Sequence, residues 1–133
     1  MTEMEKEIGS QIMLVVYRVP KKNHDAMVQI SKQFYSEVFK KYGGLRMEVF
    51  QLNNTKTYED MGLTNIVNTI SANNQEDEEV WVELQYYRDR KHMDEFIAKM
   101  GKDENCGRLY KQSLNLLTAG TSFILGEFGR LSL

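Results

Sequence analysis

The chain has 133 residues, of which 41% are hydrophobic and 27% are charged, a composition typical of one ordinary globular domain. The net charge of −2 excludes the basic surface of a nucleic-acid-binding protein, and no apolar run approaches the roughly 20 residues of a membrane-spanning helix. Two histidines and one cysteine, Cys106, provide neither an intrachain disulfide nor the ligand spacing of a zinc site, so we expect no metal and no cofactor.

The beginning of the chain, residues 1–10, is acidic and lacks the basic start and apolar run of a signal peptide. We therefore expect a flexible leader over residues 1–10 and a location in the cytoplasm. No linker or internal repeat divides the remainder, which predicts a single domain over residues 11–133.

The most regular pattern begins at Gln11 and ends at Tyr42. Residues 12–19 are apolar on both faces, which predicts a strand buried on both sides, and Pro20 ends this strand because proline cannot donate to a strand ladder. Asn23 is expected to cap a long helix, and a pair of glycines ends it. The apolar positions of this helix recur at helical spacing: Met27, Ile30, Phe34, Val38 and Tyr42.

The rest of the chain is expected to contain three strands, over residues 45–52, 80–87 and 121–128, a helix over residues 90–101, and a shorter helix after Cys106. Asp89 is in the capping position of the first of these helices. The segment 53–79 has no apolar period, and we expect it to be weakly anchored, with contacts near Ile66 and Val67.

This order of elements predicts an α+β fold of the ferredoxin-like βαββαβ kind, with an antiparallel sheet in the strand order 4-1-3-2. The two most apolar strands, over residues 12–19 and 80–87, then lie in the middle of the sheet. Two helices cover only one face of such a sheet. We expect a second copy of the sheet to cover the other face, which predicts a homodimer of the dimeric α+β barrel type.

Four short blocks of sequence resemble the YbaA-like family of the dimeric α+β barrel superfamily: Val19–Asn23 (VPKKN) with Ala26, Gly44-Leu45 with Glu48, residues 79–90, and Ile124–Phe128 (ILGEF). The resemblance covers about residues 11–131. The chain departs from the family pattern at Val49, Phe50 and Gln51, where that family often has a cysteine and paired aspartates. The resemblance implies a homodimer whose two sheets face each other, and it implies no activity.

The candidate ligand-binding residues are those that bring polar or aromatic groups to the sheet and its first helix: Tyr17, His24, Glu48, Trp81, Glu83 and Tyr87. His24 lies in the first turn of a helix, where the positive end of the dipole is expected to lower its pKa and keep it neutral. A neutral His24 would suit a ligand contact or a base. The alternative is a solvent-facing residue beside Lys21 and Lys22.

Glu83 is the most unusual residue because it lies in the middle of a central strand, where carboxylates are rarely buried without a partner. One interpretation is a pocket with Trp81 and Tyr87 as walls and Glu83 as base or acceptor. The other, which we prefer, is a cross-strand ion pair between Glu83 and Arg46 inside the dimer interface.

These observations favour a protein that binds a small, partly aromatic molecule between its helices and its sheet, with no nucleic-acid or membrane partner. Two other classes remain open. One is a cofactor-free monooxygenase or isomerase, since related barrels include such monooxygenases. The other is a structural or interaction protein without a pocket.

Overall fold

One antiparallel sheet forms the centre of the computed structural model, which describes residues 8–70 and 77–133. Its four strands are β1 (Gln11–Pro20), β2 (Arg46–Gln51), β3 (Glu78–Tyr87) and β4 (Ile124–Gly129). Their order, β2-β3-β1-β4, is the expected one and places the two most apolar strands in the middle. The ferredoxin-like α+β fold is thereby confirmed.

Within the described residues four helices connect these strands: α1 (His24–Phe34), α2 (Ile66–Thr69), α3 (Arg90–Met100) and α4 (Glu104–Leu116). A 3₁₀ turn, Lys21–Asn23, precedes α1, and a second one covers Glu59–Met61. At its other end α1 continues into a π-helical turn, Tyr35–Phe39, in which the amide of Lys40 donates to the carbonyl of Tyr35 at 3.0 Å. The helix expected only after Cys106 starts two residues before it and is 13 residues long.

The helix caps agree with the sequence in one case and differ in another. The carboxylate of Asp89 accepts from the amide of His92 at 2.8 Å, as expected of an N-cap. The side chain of Asn23 does not cap α1, and the expectation was wrong. Its amide nitrogen instead donates to the carbonyl of Leu116 at 3.0 Å, because the 3₁₀ turn before α1 carries Asn23 toward the end of α4.

The helices cover one face of the sheet. At one end of this face, four fully buried side chains pack together: Phe39, Tyr87, Met93 and Phe96. At the other end, Tyr17, Val19, Met27 and Trp81 form a second buried cluster. Because successive residues of a strand point to opposite faces, the helix-covered face of β3 carries Trp81, Glu83, Gln85 and Tyr87.

The opposite face of the sheet is covered only in part. Val67 of α2 is 3% exposed and packs against Val16 and Val80. Elsewhere on this face large apolar side chains remain open to solvent, with Ile124 and Phe128 about half exposed. This pattern agrees with the expectation of a second copy as a cover, and the homodimer stays a prediction.

Two weakly structured segments were expected, and the structure bears on parts of both. Residues 1–7 and 71–76 lie outside the described residues, so the leader and the end of the 53–79 loop are not described in full. Ser10 is already tied to the sheet, since its amide donates to Arg88 at 3.0 Å and its carbonyl accepts from Arg130 at 2.7 Å. No helix within the described ranges has the length and apolar content needed to cross a bilayer.

Candidate functional site

An open pocket of about 370 Å³ lies between α1 and the part of the sheet formed by β2 and β3. Its helix side is formed by residues about one turn apart: His24, Val28, Ser31, Lys32 and Tyr35. Its sheet side is formed by Met47, Val49, Phe50, Gln51 and Trp81. Most of the lining is apolar, and the few polar groups are mainly on the helix side. An apolar lining with a few polar groups is the composition that small-molecule sites have.

A carboxylate, an imidazole and an indole meet at one end of the pocket. One oxygen of Glu79, Oε1, lies 2.7 Å from Nδ1 of His24 and accepts from Nε1 of Trp81 at 2.8 Å. The imidazole and indole rings meet edge to face, with their planes at 72° and their centroids 5.5 Å apart. Glu79 therefore holds both the histidine and the tryptophan in fixed orientations.

The electrostatics of His24 differ from the expectation. The hydrogen bond to Glu79 raises the pKa of His24 above its ordinary value, and the nearby charge of Asp25 acts in the same direction. The expected lowering of the pKa by the helix dipole was wrong, because a carboxylate 2.7 Å away outweighs a partial charge at a helix end.

Behind Trp81, Tyr17 is buried and does not line the pocket itself. Its ring lies 5.9 Å from that of Trp81 and 5.0 Å from that of Phe123, measured between centroids. Burial raises the pKa of Tyr17, the charge of Glu83 adds to the effect, and a hydrogen bond with Ser31 opposes it. Tyr17 thus forms a hydrogen bond with a residue of the pocket wall, Ser31, and lies close enough to Glu83 to be affected by its charge.

Glu83 does not pair with Arg46, and this expectation was wrong. In the sheet register Glu83 lies opposite Val49 on β2 and Val15 on β1, whereas Arg46 lies opposite Tyr86 and so on the other face. Arg46 instead pairs with Glu48 of its own strand at 3.1 Å. The error comes from the register, since a shift of one residue moves a side chain to the opposite face.

Glu83 is part of a polar chain along β3. The amide nitrogen of Gln85 donates to the carboxyl group of Glu83 at 2.5 Å, and the hydroxyl of Tyr87 donates to the amide oxygen of Gln85 at 2.5 Å. Burial raises the pKa of Glu83, and the hydrogen bond from Gln85 acts in the opposite direction. Burial also raises the pKa of Tyr87, and the charge of Glu83 adds to it.

The six candidate residues therefore separate into three groups. His24 and Trp81 line the pocket. Tyr17, Glu83 and Tyr87 lie on the same face of the sheet but behind the lining, where Tyr87 is fully buried against Phe39. Glu48 lies on the opposite face with Arg46, so the structure does not bring it to the pocket.

The profile of a protein family of unknown function, DUF1428, matches residues 11–115 of this chain. The chain belongs to this family. A search of curated proteins gives no match for this DUF1428 chain. Among the described residues of the chain no group of three or more histidine, cysteine or acidic side chains is placed to hold a metal ion.

Solved structures with the same fold align over nearly the whole DUF1428 chain. A conserved protein from Methanosarcina mazei Go1 has a TM-score of 0.62 at 11% identity and covers 96% of this chain and 99% of its own. A nipsnap family protein with unknown function from Agrobacterium tumefaciens has a TM-score of 0.55 at 13% identity, with 94% and 93% covered. A dimeric ferredoxin-like protein from an uncultured marine organism has a TM-score of 0.52 at 12% identity, with 93% and 98% covered. At such identities these likenesses show the fold.

The residue most clearly missed by sequence reasoning is Glu79. It closes an acidic run and reads as the end of a loop, but β3 begins at Glu78 and pairs Glu79 with Val19. Residues two positions apart on a strand point to the same face, so extending β3 backward from Trp81 would have placed Glu79 on the helix-covered face. The pocket residues of α1 and the turn after it also carried a signal, because His24, Val28, Ser31 and Tyr35 follow helical spacing.

Proposed function

We propose that this DUF1428 protein binds a small, partly aromatic molecule in the pocket between α1 and the sheet, as a cytoplasmic homodimer of the YbaA-like type. The observation that supports it best is the fixed position of Trp81 in the pocket lining. Its indole nitrogen is held by Glu79 at 2.8 Å, so the ring needs no ordering when a ligand packs against it. Preorganised aromatic surface favours binding for this reason.

The distribution of chemistry in the pocket selects the ligand class. Met47 and Val49 offer apolar surface on the sheet side, and Trp81 adds the small accessible part of its ring, whereas His24 and Lys32 offer positive charge or hydrogen bonds on the helix side. A ligand with an aromatic body and one polar or anionic end matches both sides. The volume of about 370 Å³ is at the small end of the range for ligand pockets.

The homodimer rests on the open face of the sheet. Phe50, Ile124 and Phe128 each leave about half of their surface exposed, although they flank the central apolar strands. Exposed apolar surface on a sheet face marks interaction sites, and the same face on two copies can pack together about a two-fold axis. The pocket opens on the helix side, and Phe50, at the edge of the sheet, belongs to both regions.

The test uses the fact that the chain contains one tryptophan. A panel of small aromatic acids, phenols and quinols is titrated while the fluorescence of Trp81 is recorded, and at least one compound should give a saturable change. Ser31→Phe should fill the pocket and weaken binding by about tenfold or more, which corresponds to about 1.4 kcal/mol. Ser36→Phe is the matched control, because Ser36 is exposed and lies outside the pocket.

Two results would contradict the proposal: no saturable signal with any compound of the panel, or equal losses in the Ser31 and Ser36 variants. Thermal unfolding of each variant shows that it is folded before the titration is interpreted.

A second candidate function is an enzyme of the cofactor-free monooxygenase or isomerase kind. The contact between His24 and Glu79 favours it, because a histidine oriented by a carboxylate is a common general base. Oxygen uptake or isomerisation with a panel of quinols and polyketide-like compounds would separate an enzyme from a binding protein. Binding without turnover across that panel would support the binding function and contradict the enzymatic one.

A further inference from the structure

The contact between His24 and Glu79 leaves one nitrogen of the imidazole available to the pocket. Nδ1 lies 2.7 Å from the carboxylate of Glu79, and His24 lines the pocket. Throughout the part of the chain that the structure describes, no protein group forms a hydrogen bond with Nε2. A carboxylate accepts a hydrogen bond from Nδ1–H, so in the neutral ring Nε2 carries the lone pair.

The orientation of the imidazole ring is fixed by Glu79. Oε1 of Glu79 also accepts from Trp81 at 2.8 Å, and Glu79 itself is largely shielded from solvent. The carboxylate therefore cannot rotate away without breaking a second hydrogen bond. A base that is held in place in this way needs little reorganisation when it takes up a proton.

The charges around His24 favour its protonated form. Glu79 reaches it from β3, and Asp25 is the next residue of its own helix. Lys32 lies on the same wall of the pocket and offers a positive charge to a ligand anion. Uptake of a proton by His24 is thus balanced by two carboxylates, while an anion formed in the pocket is balanced by the ammonium group of Lys32.

From this geometry we propose that the pocket binds an aryl or enol hydroxyl compound as its oxyanion beside the protonated imidazole of His24, whose Nε2–H donates to the ligand oxygen. This inference rests on the proposed binding function and names its ligand class. The O–H bond of the ligand breaks and its electron pair stays on the ligand oxygen. The proton passes to Nε2 where the imidazole is still neutral, or to water where the imidazole is already protonated, and no oxidant or other reactant is needed.

A hydroxyl group matches this base better than a carboxylic acid does. An aromatic carboxylic acid is already ionised near neutral pH and has no proton to give, whereas a phenol or enol keeps its proton and needs a base. Activation of such a hydroxyl group is also the first step of many reactions at the adjacent carbon atoms.

The experiment uses 4-nitrophenol, whose ionised and neutral forms have different visible absorption, and 4-nitroanisole, which has the same ring but no hydroxyl group. The pH is set about one unit below the pKa of free 4-nitrophenol, where the free compound is mostly neutral. When bound to the wild-type protein the probe should be mostly ionised, a shift of at least about tenfold in its ionisation equilibrium.

Three variants locate the effect. His24→Gln can still donate to Glu79 but cannot take up a proton, so it should bind 4-nitroanisole like the wild type and bind 4-nitrophenol in its neutral form. Lys32→Met should lower the ionised fraction of the bound probe. Lys22→Met is its matched control and should leave that fraction unchanged, because Lys22 is exposed and lies outside the pocket.

Neutral 4-nitrophenol bound to the wild type would overturn this inference and leave the binding function intact. An unchanged ionised fraction in His24→Gln would also overturn it, since another group would then hold the proton. A third outcome is that neither 4-nitrophenol nor 4-nitroanisole binds and that Ser31→Phe and wild type give the same results with the wider panel. The pocket would then not be a binding site, and both the binding function and this inference would be wrong.

Discussion

Replacing Glu83 by glutamine should change the pH dependence of stability in a defined direction. Burial raises the pKa of Glu83 from its ordinary value of 4.5, so the folded protein holds this proton more tightly than the unfolded chain does. The resulting stabilisation is fully present below pH 4.5 and is lost as the pH rises through the folded-state pKa. Above that pKa the folded protein contains an ionised carboxylate with one donor, Gln85.

The magnitude follows from the single proton involved. Between the two pKa values the free energy of unfolding of the wild type should fall by up to about 1.4 kcal/mol per pH unit relative to Glu83→Gln. The amide oxygen of the glutamine can still accept from Gln85, so the packing is retained. On the alkaline side we expect the variant to be more stable by about 0.5–2 kcal/mol, because the substitution removes a buried charge that has one donor.

The assay is urea unfolding at a fixed protein concentration, from about pH 4 to about pH 9, for the wild type and Glu83→Gln. Glu48→Gln is the matched control, because its exposed pair with Arg46 is worth about 0.2–1 kcal/mol and lies on the other face of the sheet. Parallel curves for Glu83→Gln and wild type would refute the reasoning. In a double-mutant cycle the stability changes of Arg46→Met and Glu83→Gln should be additive within about 0.5 kcal/mol. A larger coupling energy would mean that the two residues form an ion pair after all.

Three further predictions concern assembly, electrostatics and the loop. Light scattering after gel filtration should give about twice the chain mass of 15.6 kDa, and Phe128→Asp should give the monomer; a monomeric wild type at micromolar concentration contradicts this. In NMR titrations Glu79→Gln should lower the pKa of His24 toward its ordinary value, whereas Asp25→Asn should lower it less, since Glu79 is the main cause of the shift; no change in the Glu79 variant contradicts the assignment. Val67→Ala should lower the free energy of unfolding by about 1.5–3 kcal/mol, because its side chain is buried against two other valines; an unchanged stability would mean that this loop is not anchored there.

The fold could be predicted because its signals are local and repeated. The run of apolar residues in β1 and β3 identifies the central strands, and the spacing of Met93, Phe96 and Met100 identifies the buried face of α3. Asp89 marks the start of that helix through a hydrogen bond to a residue only three positions later in the sequence. Each of these signals depends on neighbours in sequence, so no knowledge of tertiary structure was needed.

The site could be predicted only in part because it depends on contacts between distant residues. Trp81 and His24 were identified by residue type and position. Their common partner, Glu79, lies 55 residues from His24 and was hidden in an acidic run that reads as loop. The pairing of Glu83 required the register of β2 against β3, and the sequence of a short edge strand such as β2 does not determine that register.

The π-helical turn at Tyr35–Phe39 has a consequence for variation of chain length in this family. An α-helix turns by about 100° per residue, so one residue added inside it would rotate everything that follows. Here the widened turn accommodates one additional residue while Val38 and Phe39, adjacent in sequence, are both fully buried. Single-residue insertions and deletions among DUF1428 proteins should therefore be tolerated in this turn, because the pocket wall on the preceding helix keeps its orientation.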